Sequence, residues 1–104
     1  MKFVIAYTSR LEGTAAENVA SAESAQKLLA GWTPNPNANI QQWVQRCDGN
    51  GGFAVLESDN ATEILSDLLV WSPWLDFQVY PVVDLGEGTT AATEEALATA
   101  RGVV

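Results

Sequence analysis

The residues of this chain best suited to chemistry are aromatic. Four tryptophans (Trp32, Trp43, Trp71, Trp74) and two tyrosines (Tyr7, Tyr80) are many for 104 residues. Such rings can wall a pocket for a planar ligand, or fill a core, because each buries a large area. Helical spacing puts Trp32 and Trp71 on apolar stripes, which makes them packing residues first. Trp43 and Tyr80 fall on strands at the edges of a sheet and are better pocket candidates. Tyr7 ends the first strand, where its ring packs and its hydroxyl can meet water or a ligand. Arg46 is the one base inside a strand after the first residues. It suits an anionic ligand or an ion pair with Glu57 across a hairpin, worth up to about 1 kcal/mol if exposed. The candidate ligand-binding set is therefore Tyr7, Trp43, Arg46 and Tyr80, with no catalytic residue assigned.

The chain lacks histidine and holds a single cysteine, Cys47. A Ser-His-Asp triad, a Cys-His pair and a His-ligated zinc or haem site are thereby excluded. No intrachain disulfide can form, which fits a reducing compartment. No Lys or His adjoins Cys47 to lower its pKa, so it reads as an inert thiol. Asp48, Asp59, Glu94 and Glu95 show no metal-ligand spacing. The glycine-rich Asp48–Gly52 loop lacks the Lys and the following helix of a phosphate-binding loop. The expectation is no metal and no cofactor.

Thirteen acids against five bases give a net charge of −8, and the bases (Lys2, Arg10, Lys27, Arg46, Arg101) are scattered. A nucleic-acid partner needs clustered Lys and Arg, and an anionic membrane surface repels this sign. No apolar run approaches the roughly 20 residues of a membrane span. The apolar start ends at Tyr7 with no convincing cleavage site after it, so it reads as a first strand of a cytoplasmic protein.

The elements that position these residues follow from periodicity and punctuation. Phe3–Thr8 is a strand, apolar on both faces. Thr14-Ala15-Ala16-Glu17 matches a capping box, and Val19, Ala22, Ala25, Leu28, Leu29 and Trp32 continue at helical spacing until Gly31 and Pro34. Ile40–Cys47 alternates, with Ile40 and Val44 on one face and Gln41, Trp43 and Gln45 on the other. Asp48-Gly49-Asn50-Gly51-Gly52 is a hairpin turn into a strand over Phe53–Glu57. Asn60-Ala61-Thr62-Glu63 offers a second capping box; as a glycosylation sequon it is read only as a cap. Its helix carries a stripe of Ile64, Leu65, Leu68 and Trp71, and Pro73 pushes Ser72 out of helical geometry. Leu75–Val83 is the last strand. Thr90 caps an Ala-rich helix ending near Arg101.

The order β-α-β-β-α-β plus a C-terminal helix gives an α+β fold, a ferredoxin-like sandwich of strand order 4-1-3-2. Residues 1–85 form this domain and residues 86–104 a helical tail. Pro81 belongs on an edge strand because it cannot donate to a ladder. Two helices cover one face of four strands. Yet the central strands are apolar on both sides: Phe3, Ile5 and Tyr7 against Val4 and Ala6, and Phe53 and Val55 against Ala54 and Leu56. A sheet with one wet face should be polar there. The second face is expected to meet a second copy, making a homodimer with about 800 Å² buried per partner. The alternative cover is the C-terminal helix folding back.

Three segments carry a family resemblance: Met1–Tyr7, Trp43 with Asp48-Gly49 and Gly51–Glu57, and Trp71-Ser72 with Leu75–Val79 and Pro81-Val82. Together they resemble a family of short bacterial proteins of unknown function among the dimeric α+β barrels, over roughly residues 1 to 85. The resemblance implies a ferredoxin-like fold and dimerisation, and no activity. Two function classes fit. One is a non-catalytic dimer that binds a small molecule or a partner. The other, by analogy with that fold group alone, is a cofactor-free monooxygenase- or isomerase-like enzyme acting on a small aromatic or quinol-type substrate. A purely structural module, with the acidic tail as its partner-binding element, is the third reading.

Overall fold

The structure, a computed structural model, describes residues 1–103; Val104, the end of the expected tail, lies outside the described residues. Its elements are β1 (Lys2–Ser9), α1 (Ala15–Gly31), β2 (Asn39–Gln45), β3 (Gly52–Glu57), α2 (Ala61–Trp71), β4 (Leu75–Val82) and α3 (Glu87–Val103). The four strands form one antiparallel sheet in the order β2-β3-β1-β4. Counted from the opposite edge, that order is 4-1-3-2. Pro81 lies on the edge strand β4, opposite Phe3.

Local chemistry explains the boundaries. Thr14 caps α1 with a complete capping box: its hydroxyl accepts the Glu17 amide at 3.1 Å, and Glu17 accepts the Thr14 amide at 3.4 Å. At α2 only half of the expected box forms. The Asn60 side chain accepts the Thr62 and Glu63 amides, while the Glu63 carboxylate turns away to accept Asn37 Nδ2 at 3.1 Å. Ser72 stays in the right-handed helical region (φ −57°, ψ −27°) in spite of Pro73. α2 still ends at Trp71, and a turn closed by the Trp74 amide on the Trp71 carbonyl follows it. α3 starts at Glu87, three residues before the expected Thr90 cap. Its lead-in turn is held by the Gly86 amide donating to Thr89 Oγ1 at 2.8 Å.

β2 departs from simple alternation. Its pairing with β3 shifts between Ile40 and Gln42. An extra residue in one strand reverses which face each later side chain occupies. Ile40 and Trp43 therefore stand on the helix side, opposite Leu56 and Ala54, and Val44 turns to the far side opposite Phe53.

The core lies between the sheet and α2. Phe3, Ile5, Ala54, Leu56 and Ile64 are buried together, with Ile40, Leu68 and Phe77 packed against them. α1 contributes no buried residue, and Val19 and Leu29 of its stripe are at least half exposed. Leu65 of α2 also faces outward. α3 buries nothing. It lengthens the molecule to 60 Å with a radius of gyration of 18.3 Å, against about 13 Å for a compact chain of this size. The tail therefore does not fold back to bury itself on the open sheet face.

Ile5, 3% exposed, should be the keystone of this thin core. Ile5→Ala is expected to lower stability by about 2–4 kcal/mol. Leu65→Ala, on the outward side of α2, should stay within about 0.5 kcal/mol. Urea unfolding of both variants measures the contrast.

Candidate functional site

Alternation along β1 sends Phe3, Ile5 and Tyr7 toward the helices. Their cross-strand neighbours on that side are Ala54 and Leu56 of β3 and Phe77 and Val79 of β4. Because α1 stands off from this surface, a cleft of about 500 Å³ opens between the sheet and the two helices. Tyr7, Trp32, Trp43, Trp71, Ile5 and Leu29 are among its walls.

The aromatic rings make a continuous series. Trp32, at the end of α1, stands edge-on to Trp43 of β2 (centroids 6.3 Å apart, 85°) and to Trp71 of α2 (5.5 Å, 90°). Trp71 in turn meets Trp74 at 6.2 Å and 64°. Perpendicular contacts set the positive edge of one ring on the negative face of the next, each worth about 0.5–1.5 kcal/mol beyond burial. Tyr7 meets Phe77 at 6.4 Å. It also joins the tryptophans: Trp43 Nε1 donates to Tyr7 Oη at 2.9 Å, and that hydroxyl donates to the Val44 carbonyl at 3.4 Å.

Tyr7 reaches this position because Gly52 faces it across the ladder. A Cβ on Gly52 would come within 2.1 Å of the Val44 carbonyl oxygen and 2.6 Å of Tyr7 Oη. The preceding Gly51, at φ +91°, passes so close to β1 that a Cβ would stand 1.8 Å from the Tyr7 carbonyl oxygen. The Gly-Gly pair thus serves the site as well as the turn. Gly49, also at positive φ (+77°), faces open space.

Of the four expected ligand-binding residues, the structure brings Tyr7 and Trp43 together and separates the other two. Tyr80 is on the open face of the sheet opposite Val4, with its hydroxyl donating to Gln78 Oε1 at 2.8 Å. Tyr7 and Tyr80 have opposite strand parity relative to the sheet, so one pocket cannot hold both. Arg46 lies in the hairpin turn, beyond the end of β2. It pairs with Asp48 of the same turn, and the expected partner Glu57 is opposite Asn39 and Lys2. The Asn50 amide and then Arg46 hold the Asp48 carboxyl below its ordinary range. What that turn contributes to stability is therefore present above the usual carboxylate pKa and is lost as the pH falls through the lowered one.

Trp32, Trp71 and Asp67 belong to the site without having been singled out for it. Trp71 is on the stripe of α2 as expected, whereas Trp32 follows the last residue of α1 with extended backbone (φ −100°, ψ 141°); both face a cleft as well as a core. Asp67 gave a signal: it occupies the i+3 position after Ile64, where a helix facing a core carries an apolar side chain. Both its oxygens accept the Asn35 amide, at 3.2 and 3.0 Å. Asn37 grips Glu63 one turn earlier on α2. These bonds strap the 33–38 loop to α2 at the rim of the cleft. Among the described residues no group of three or more acidic or cysteine side chains could hold a metal ion.

Gly52→Ala should move Tyr7 off its bond to Trp43. We expect a loss of about 1–3 kcal/mol in unfolding free energy and a shifted tryptophan emission. Gly49→Ala should cost only the left-handed strain, about 1–2 kcal/mol, and leave the emission unchanged.

No helix among the described residues is long and apolar enough to cross a membrane. A search of curated proteins found no match to the chain. The sequence does match a family described as a domain of unknown function, DUF3303, over residues 1–96. That match runs past residue 85, where the resemblance noted above ends, and into α3. The α+β sandwich with its tryptophan-walled cleft is thus a member of the DUF3303 family.

Proposed function

We propose that this protein is a non-catalytic homodimer that holds a small, largely apolar molecule between its sheet and helices. The observation that carries the reading is the cleft of about 500 Å³ walled by Tyr7, Trp32, Trp43 and Trp71. Small-molecule sites have this volume range and this apolar, aromatic lining with few polar groups. Proton-transfer groups are scarce along it: Asp67 is the one acid among the described residues that line it, with no Lys, Arg or Cys. Asp67 is engaged with the Asn35 amide. This favours a carrier or sensor over the cofactor-free enzyme, which needs a positioned acid or base.

Dimerisation draws its support from the other face. Val4, Ala6, Phe53, Val55, Val44 and Tyr80 are cross-strand neighbours there. Phe53, Val44 and Tyr80 are 44–50% exposed. Gln42 and Gln78 share that face on the edge strands, and an apolar patch with polar residues at its rim marks an interaction surface. A twofold copy would supply the same patch in return. The setting is expected to be cytoplasmic, with no nucleic acid or membrane as partner.

Titration with the uncharged dye Nile red tests the first half. We expect one saturable site per chain, weakened at least about tenfold by Trp43→Ala and unchanged by Val55→Glu. Dye binding indifferent to Trp43→Ala would remove the cleft from the reading. Sedimentation tests the second half. The wild-type chain should be a dimer at micromolar concentration and Val55→Glu a folded monomer, and a monomeric wild type would end the dimer proposal.

A further inference from the structure

The wall of the cleft carries one negative charge, and no base balances it. We propose, resting on the small-molecule reading above, that the occupant is an organic cation. It would have an apolar body bearing one quaternary or methylated ammonium group, which the aromatic walls receive and Asp67 balances.

Asp67 lines the cleft and is half-buried. Its two oxygens share the Asn35 backbone amide, and among the described residues no Lys or Arg pairs with it. Holding a backbone amide takes an acceptor oxygen, not a net charge, so the loop strap alone does not call for an acid. Glu63, one turn earlier on α2, adds a second charge from behind the lining. Its Oε1 accepts Asn37 Nδ2 at 3.1 Å, and its Oε2 is buried with no partner. Like charges four residues apart on a helix repel, and a cation in the cleft would offset both.

The bases are elsewhere. Lys2, Arg10 and Arg46 pair with Asp84, Asp76 and Asp48, and neither Lys27 nor Arg101 lines the cleft. An anion moved into such surroundings loses hydration, gains no counter-charge and meets Asp67. A neutral guest buries its surface but leaves the carboxylate unbalanced. A cation gains twice, because aromatic faces also attract it, more strongly where water is excluded. Trp32 crosses Trp43 and Trp71 at 85° and 90°, so these walls present ring faces in more than one direction. Methyl groups on the nitrogen remove N–H donors that would each need an acceptor, which suits walls made mostly of rings and aliphatic side chains.

Three probes of one shape and different charge test this: benzyltrimethylammonium (cation), neopentylbenzene (neutral, carbon in place of nitrogen) and phenylmethanesulfonate (anion). Each competes with Nile red for the full chain. The cation should bind at least about fivefold tighter than the neutral probe, and the sulfonate weakest of the three. Asp67→Asn should bring the cation to within about twofold of the neutral probe, whose own affinity reports any change in the wall itself. Glu94→Gln with Glu95→Gln removes two charges from α3, which lines no part of the cleft, and should leave the cation-to-neutral ratio as in the wild type. A neutral probe or sulfonate that binds as tightly as the cation overturns the inference and leaves the cleft reading standing. So does a ratio that the α3 double variant lowers as far as Asp67→Asn does, since the preference would then belong to the net charge of the chain. Should Asp67→Asn misfold by circular dichroism, the wild-type order of the three probes decides. If Nile red itself finds no saturable site, the small-molecule reading fails and this inference falls with it.

Discussion

A four-stranded sheet has two faces, and this chain covers one. Every other feature follows from how the two central strands meet that constraint. β1 and β3 are apolar on both sides, so neither face is suited to water. On the helix side, Phe3, Ile5, Ala54 and Leu56 are buried, but α2 supplies nearly all the cover and α1 buries no residue. On the other side, no element of the described chain covers Val4, Val55 and Phe53. Such a layout carries less core than 104 residues can provide. The deficit falls in two places, a cleft under α1 and an open sheet face. Under the proposed function each would meet a partner, a small molecule in one case and a protein surface in the other.

The hairpin between β2 and β3 links the turn to the cleft. Two glycines in a tight turn ordinarily need only backbone freedom as their reason. Here Gly52 is also where Tyr7 has to fit. A strand glycine opposite an aromatic residue lets the ring lie across the backbone, and Tyr7 then accepts from Trp43 on the far side of β3. Gly51 adds a close backbone approach to the same residue. A motif that reads as punctuation thereby sets the geometry of an aromatic site.

The sandwich could be read from the sequence because its signals are local and repeated: two helix caps, a glycine-rich hairpin, and strands whose apolar content marks which are central. The site was harder to read, for a reason that lies in β2. Strict alternation puts Trp43 on the same face as Gln41 and Gln45, and Val44 with Ile40. One bulge near Gln42 reverses that, and nothing but the adjacent glutamines hints at it. The same period-two logic separates Tyr7 from Tyr80 once the register with β4 is known, and register comes from long-range pairing. Arg46 was assigned to a strand that ends at Gln45, so its partner lies within the turn. Trp71 lies on a helix stripe, while Trp32 comes just after α1 ends at Gly31; spacing alone does not say whether a stripe meets packed side chains or a gap. Asp67, polar in the middle of such a stripe, was the readable sign of a gap.

The cleft and the stability of the fold are therefore linked. Apolar walls exposed to water contribute nothing to folding, and α1, which buries no residue, has little packing to lose by moving. A molecule that binds the folded chain and not the unfolded one stabilises it in proportion to the logarithm of its concentration over its dissociation constant. In a domain whose core is this thin, that term can rival what α1 itself contributes. The helix that roofs the cleft would then be ordered most firmly when the cleft is filled. Under the proposed function, occupancy and the position of α1 would become one equilibrium, and Trp32 would report on both because its ring meets Trp43 on the sheet and Trp71 on α2.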